Sequence, residues 1–199
     1  MRTLLFWLLC LVCLVCTSCF LGSSLLFLES DAADKPNLVT NPGFESKSKQ
    51  INQIPVGWII NPSGLLSQEV LSSDPAEFVT GTQSLKIVHT QRKLTLLSEP
   101  FRIDPWNGYY IRASAKTTNP DGAEIFLRFQ TYAEDGTITN NYSAKNTCGS
   151  EWKRGSISAG FINKKATFAR VLIVIPQTND HPIWIDDVGC FSVHRFILD

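Results

Sequence analysis

Four cysteines, Cys10, Cys13, Cys16 and Cys19, stand three residues apart near the start of the chain. That spacing is what a thiolate metal or cluster site of the CxxCxxC kind would use. Their surroundings argue against it. They lie inside Thr3–Leu28, a run of 26 residues without a charge. Thiolates in hydrocarbon are costly, and no other ligand type is near. Four small apolar residues on a membrane helix account for them. Two further groups could do acid–base work, Asp186 and Asp187. Glycoside hydrolysis needs two carboxylates facing each other across a cleft. Consecutive residues of a strand point to opposite faces, so these two are not expected to form such a pair. His89, His181 and His194 do not fall into an HExxH spacing, and there is no Gly-x-Ser-x-Gly, P-loop or Gly-x-Gly-x-x-Gly. Cys148 reads as a loop thiol, not a nucleophile. The expectation is a protein that binds and does not catalyse.

The elements that must position any binding residues are strands. After Asp34 the chain shows short alternating or apolar runs and almost no helical periodicity. The runs are Val56–Ile60, Ser67–Leu71, Ser84–Thr90, Leu94–Glu99, Tyr109–Lys116, Glu124–Tyr132, Thr137–Ser143, Glu151–Ser158, Ala166–Ile175 and Ile183–Val193. Turn signals such as Asn119-Pro120-Asp121-Gly122 and Glu134-Asp135-Gly136 separate them. This predicts an all-β fold, a two-sheet antiparallel β-sandwich or jelly roll.

Alternation assigns faces. Tyr109, Ile111, Ala113 and Ala115 share one face, and Ile125, Leu127 and Phe129 share another. Val171, Ile173 and Ile175 complete the inward set. The opposite parity carries Tyr110, Arg112, Phe126, Arg128, Gln130, Tyr132 and Arg170. Sugar rings stack their C–H faces on aromatic side chains, and their hydroxyls pair with amides, carboxylates and guanidinium groups. These seven residues are therefore the expected ligand face, with three arginines hinting at an acidic sugar. Trp106, in the turn Asp104-Pro105-Trp106-Asn107-Gly108, is the best placed tryptophan for exposed stacking. Trp58 is expected beneath the first loop, and Trp152 and Trp184 in the core or at its rim.

The first segment reads as a single membrane helix. A bilayer core takes roughly 20 apolar residues, and a signal-peptide core about 7–15. The length favours an uncleaved anchor over residues 1–30, with 31–36 a linker and 37–199 the sandwich. Arg2 is the only basic residue before the run, which biases the N-terminus to the cytoplasm and the domain outside. Cleavage after Ser30-Asp31-Ala32, or lipidation at Cys19 within Val15-Cys16-Thr17-Ser18-Cys19, are the competing readings. The chain holds 18 basic and 18 acidic residues, so nothing suggests a nucleic-acid partner. Outside the cell, Cys148 and Cys190 could pair, although spacing does not decide it.

Both ends of the folded part match a known pattern. Asn37-Leu38-Val39-Thr40-Asn41-Pro42-Gly43-Phe44-Glu45 is followed by Pro55-Val56-Gly57-Trp58. Gly81-Thr82-Gln83-Ser84-Leu85-Lys86-Ile87 comes next, and Ile183-Trp184-Ile185-Asp186-Asp187-Val188 closes the chain. Over residues 37–193 this resembles the CenC-type carbohydrate-binding modules, within the galactose-binding-like jelly rolls. The resemblance implies a polysaccharide or glycan ligand bound on the concave sheet. It also implies a structural calcium ion held by Glu45 and Asp187, with carbonyls near Thr40 and between Gly81 and Ser84. Calcium accepts six to eight hard oxygens, carbonyls included. The same fold serves protein–protein contacts, so an envelope protein partner, or a degenerate accessory role beside a separate enzyme, is the alternative.

Overall fold

The computed structural model describes residues 26–47, 54–63, 70–88, 92–176, 178 and 181–196. Eleven strands and one helical turn are seen among them: α1 (Glu29–Ala32), β1 (Trp58–Asn61), β2 (Leu71–Asp74), β3 (Ser84–Ile87), β4 (Leu94–Ser98), β5 (Phe101–Arg102), β6 (Asn107–Thr117), β7 (Ala123–Tyr132), β8 (Ile138–Cys148), β9 (Lys153–Ala159), β10 (Phe168–Ile175) and β11 (Ile183–Arg195). The first sheet runs β1-β4-β10-β7-β8, with β5 also paired to β10. The second runs β2-β3-β11-β6-β9. All pairings are antiparallel.

The two sheets stack on the residues whose parity marked them as inward. Tyr109, Ile111, Ala113 and Ala115 of β6 are buried against Ile125, Leu127 and Phe129 of β7 and Val171, Ile173 and Ile175 of β10. Tyr109 and Phe129 bring their rings within 5.7 Å across the sheet interface. Period-two alternation forces this: only one side of each strand can leave water. Two strands differ from expectation. Of the run Ser67–Leu71, residues 67–69 lie outside the described ones and β2 spans Leu71–Asp74, and β8 continues to Cys148, five residues past the expected end. β8 lies at a sheet edge and alternates exposed with half-buried positions, so its polar second half carries little strand signal. Phe101–Arg102 was not anticipated as a strand; two residues carry no periodicity.

Residues 26–35, expected as the end of the anchor and a linker, lie on the outer face of the second sheet. Phe27 packs with Ala32, Tyr110 and Phe191. Its N–H donates to the Ser158 hydroxyl at 2.8 Å. Its ring takes the space above Gly108, where a Cβ would run into it. Among the described residues no helix is long and apolar enough to cross a membrane. The expected spanning segment falls almost entirely in residues 1–25, outside the described ones.

Cys148 and Cys190 are both buried free thiols, so the disulfide left open by their sequence positions does not form. Cys148 ends β8 in the first sheet and Cys190 lies in β11 of the second.

Candidate functional site

The expected ligand face divides in two. β6 belongs to the second sheet and β7 and β10 to the first. The outward residues of these strands therefore face opposite sides of the sandwich. Tyr110 and Arg112 are on the covered side. Tyr110 is buried beneath Phe27. Arg112 donates to Asp187 Oδ1 at 2.8 Å and to Glu29 Oε1 at 3.0 Å. Arg154, on neighbouring β9, also pairs with Asp187, at 2.6 Å, and with Glu29. These two arginines are held by the carboxylates of Asp187 and Glu29.

On the outward face of the first sheet Phe126, Arg128, Gln130, Tyr132 and Arg170 are half-buried, and Leu172 and Val174 are buried. Register lines up its side chains in rows across β10, β7 and β8. Phe168 stands opposite Tyr132, Arg170 opposite Gln130, Leu172 opposite Arg128 and Val174 opposite Phe126. Asn141, Ser143 and Lys145 extend these rows onto β8. Five of the expected residues, Phe126, Arg128, Gln130, Tyr132 and Arg170, thus share one surface. At its end a pocket of about 300 Å³ is lined by Pro100, Tyr132, Ala133, Glu134, Gly136, Phe168 and Arg170.

The polar groups here are prepositioned. The Tyr132 hydroxyl donates to Gln130 Oε1 at 2.8 Å. Arg170 Nη1 donates to the Ser98 carbonyl at 2.8 Å, which fixes its guanidinium at the pocket wall. Burial raises the Tyr132 phenol above its ordinary pKa, against the opposing charge of Arg170. It therefore remains a neutral donor. Arg128 Nε is buried without a hydrogen-bond partner among the described residues. Such a group marks a place where a ligand or water completes the bonding. Alternation could have found Phe168, two residues from Arg170 on the same strand face. Pro100 and Glu134 reach the pocket only through tertiary packing.

The tryptophans sort differently. Trp58 is buried against Phe44 at 5.0 Å, with its indole N–H on the Asn41 carbonyl at 3.1 Å. Trp184 is buried on the second sheet and donates to Asp74 Oδ2 at 2.9 Å. Trp152 is half-buried. Trp106 sits in its expected turn, but it is half-buried and Lys164 lies over its ring at 4.9 Å.

The expected calcium ligands also regroup. A bulge in β11 separates the Asp186–Ser114 and Gly189–Arg112 pairings, and Asp187 adopts φ +50° there. The bulge interrupts alternation, so the two aspartates do not diverge as a regular strand would make them. Asp187 is bound to Arg112 and Arg154. Asp186, opposite the outward Ser114, accepts from the N–H groups of Val79 at 2.6 Å, Thr80 at 2.9 Å and Asp187 at 2.7 Å. Burial raises the pKa of the Asp186 carboxyl despite these bonds. Glu45 accepts from the Thr82 hydroxyl at 2.6 Å and the Thr82 N–H at 3.0 Å. Burial opposes ionisation there, but these bonds more than offset it and lower the Glu45 pKa. A Cβ on Gly43 would lie 3.4 Å from Asp186 Oδ1, 3.5 Å from Glu45 Oε1 and 3.6 Å from Thr80 Oγ1. Three oxygens thus border the space beside Gly43. The buried Ser84 hydroxyl, on β3 beside β11, has no partner among the described residues. The three oxygens beside Gly43 stand 3.4–3.6 Å from that Cβ position, longer than the roughly 2.3–2.6 Å of calcium coordination, and both Asp186 oxygens already accept backbone N–H groups. No group of three or more His, Cys, Asp or Glu side chains gathers as a metal cluster among the described residues.

No protein-family model matches the chain. No curated protein matches it either. Solved structures share its fold. A family 61 carbohydrate-binding module, solved with β-1,4-galactotriose, superposes with TM-score 0.59 at 16% identity, over 79% of this chain and 99% of that one. A family 16 module gives TM-score 0.55 at 15% identity, over 77% and 99%. A xylan-binding domain of family 22 gives 0.54 at 14% identity, over 81% and 98%. The fold is thus the two-sheet antiparallel β-sandwich that these modules share. It also occurs within larger enzymes: the chain matches 30% of a Clostridium thermocellum xylanase chain solved with xylohexaose.

Proposed function

We propose that this protein is a non-catalytic carbohydrate-binding module, displayed on the outer side of a membrane by its N-terminal apolar segment. Its glycan lies along the outward residues of β7 and β8 and ends in the pocket at Tyr132. The observation that carries the reading is the pairing of two aromatic rings, Tyr132 and Phe168, with the anchored guanidinium of Arg170 in one pocket. Aromatic rings take the apolar face of a sugar, and Arg170, Glu134 and the Gln130–Tyr132 pair address its hydroxyls. Arg128 then meets a further sugar along the same face. Neighbours of this fold were solved with a galactan fragment and with xylohexaose, so β-linked galactans and xylans head the candidate ligands. A structural calcium ion at Glu45 and Asp186, with carbonyls nearby, would tie the first loop to the closing strand once both carboxylates close on it. It takes no part in sugar binding.

Affinity electrophoresis and calorimetry of the full chain against galactan, xylan and acidic glycans test this. Tyr132→Ala or Arg170→Ala should weaken binding about tenfold, the cost of roughly 1.4 kcal/mol of stacking or charged hydrogen bonding. Absence of binding across a broad glycan panel would remove the proposal.

A further inference from the structure

Arg128 projects from the middle of β7 among side chains that carry no negative charge. Register fixes its neighbours. Directly across stand Leu172 on β10 and Ser143 on β8. The diagonal positions are Arg170 and Val174 on one side, Asn141 and Lys145 on the other. Gln130 and Phe126 flank it along its own strand. These eight side chains include two further cations and no carboxylate. Glu124 is the first acid met along β7, and it is paired with Lys145. Glu99 follows β4, on the far side of β10. Glu134 belongs to the pocket wall past Tyr132, which is itself about 13 Å along the strand from Arg128.

Elsewhere on the two sheets Lys86, Arg112, Lys116, Lys145 and Arg154 each meet a carboxylate. Among the described residues Arg128 and Arg170 form no ion pair. Arg170 still donates to the Ser98 carbonyl. Arg128 Nε is buried with no hydrogen-bond partner among the described residues, and Leu172 and Val174 beside it are buried too. Arg112 also has an unpartnered Nε, yet its two Nη atoms hold Asp187 and Glu29. Partly withdrawn from water, a guanidinium without a counter-charge lowers stability, and its attraction to an anion is strengthened. Its planar fork matches a carboxylate through two parallel N–H···O bonds.

We propose that the glycan is acidic, a chain of neutral sugars interspersed with uronic acid, and that the uronate carboxylate binds the Arg128 guanidinium while a neutral sugar fills the pocket at Tyr132. The inference rests on the glycan-binding reading and adds the substrate class to it. Asn141 and Ser143, exposed on β8, are placed to bond the hydroxyls of the uronic acid. Arg170 adds positive potential from the next strand. Glu134 repels a second carboxylate from the pocket itself, so the acids of the chain must be spaced.

Calorimetric titration of the full chain with glucuronoxylan, and with the same polymer after its carboxyl groups are reduced to alcohols, tests this. The wild-type protein should bind the acidic form about tenfold more tightly, and high salt should shrink the difference. Arg128→Gln should bind both forms alike, at the wild-type affinity for the reduced one. Arg128→Lys, a point charge without the fork, should keep part of the preference. Lys153→Gln removes an exposed cation from β9 of the other sheet and should keep all of it. A loss there equal to that at Arg128 means diffuse attraction to a polyanion and overturns the site. Equal affinity of the wild-type protein for the two forms, binding of neutral glycans alone, or a preference that Arg128→Gln retains overturns the proposal and leaves the carbohydrate-binding reading standing. Binding of neither form, nor of any neutral glycan, overturns both.

Discussion

Replacing Arg112 with alanine separates the two faces of the sandwich more sharply than any other change. Arg112 has the same strand parity as a ligand residue, yet its guanidinium holds residues 26–35 to the second sheet. Its bond to Asp187 at 2.8 Å joins side chains only 20% and 9% exposed. Such a charge-assisted bond contributes about 1.5–3 kcal/mol. Its bond to Glu29 joins a carboxylate 50% exposed and is discounted for solvent screening to well under about 1 kcal/mol. The guanidinium also lies 5.1 Å from the Phe191 ring, worth about 0.5–1 kcal/mol. Asp187 keeps Arg154, so no charge is left stranded. Arg112→Ala should therefore destabilise the protein by about 3 kcal/mol. For a domain of this size that lowers Tm by about 6–12 °C. Glycan affinity should not change, because the proposed sugar face is on the other sheet. Urea unfolding and calorimetric titration on the same preparation read both quantities. Lost glycan binding with unchanged stability would refute the reasoning and place the ligand under residues 26–35.

Three further outcomes are expected. Calcium at about 100 times its Kd should raise Tm by about 5–10 °C, as roughly 2.7 kcal/mol of linkage; Asp186→Asn should abolish that shift and Asp187→Asn should keep it, and the reverse pattern would restore Asp187 as the ligand. Gly81→Ala should cost about 2 kcal/mol in urea unfolding, because Gly81 has φ +74° and an added Cβ would run into the Glu45 carboxylate; a neutral result would contradict the loop geometry. Burial alone would raise the Asp74 pKa, but bonds from the Trp184 indole, the Ala76 N–H and Lys86 lower it overall. The folded pKa is thus below the unfolded one, so this stability is present above about pH 4 and is lost as pH falls through the folded value. Asp74→Asn should flatten the acid limb of the stability curve measured by urea titration.

What was legible in the sequence is local. Alternation placed Tyr109, Ile111, Ala113, Ala115, Ile125, Leu127 and Phe129 in the core, and they are there, because a strand's two sides are defined by the chain itself. The turn signals separated the strands for the same reason. The 37–193 motifs pointed to a jelly roll, and structures of that fold superpose. Parity, however, says inward or outward and never which sheet. Whether β6 and β7 become neighbours or part to opposite sheets depends on β6 pairing with β11 and β7 with β10, contacts between segments some 40 to 80 residues apart. That choice alone separated Tyr110 and Arg112 from Arg128 and Tyr132. The bulge at Asp187 likewise set Asp187 against Arg112 and Arg154 and left Asp186 on the Val79 and Thr80 N–H groups, and residues 26–35 became part of the fold only because the second sheet offered Tyr110 and Phe191 for Phe27 to cover. Inside and outside are properties of a strand, whereas a site is a property of which strands meet, and that is settled only when distant segments pack.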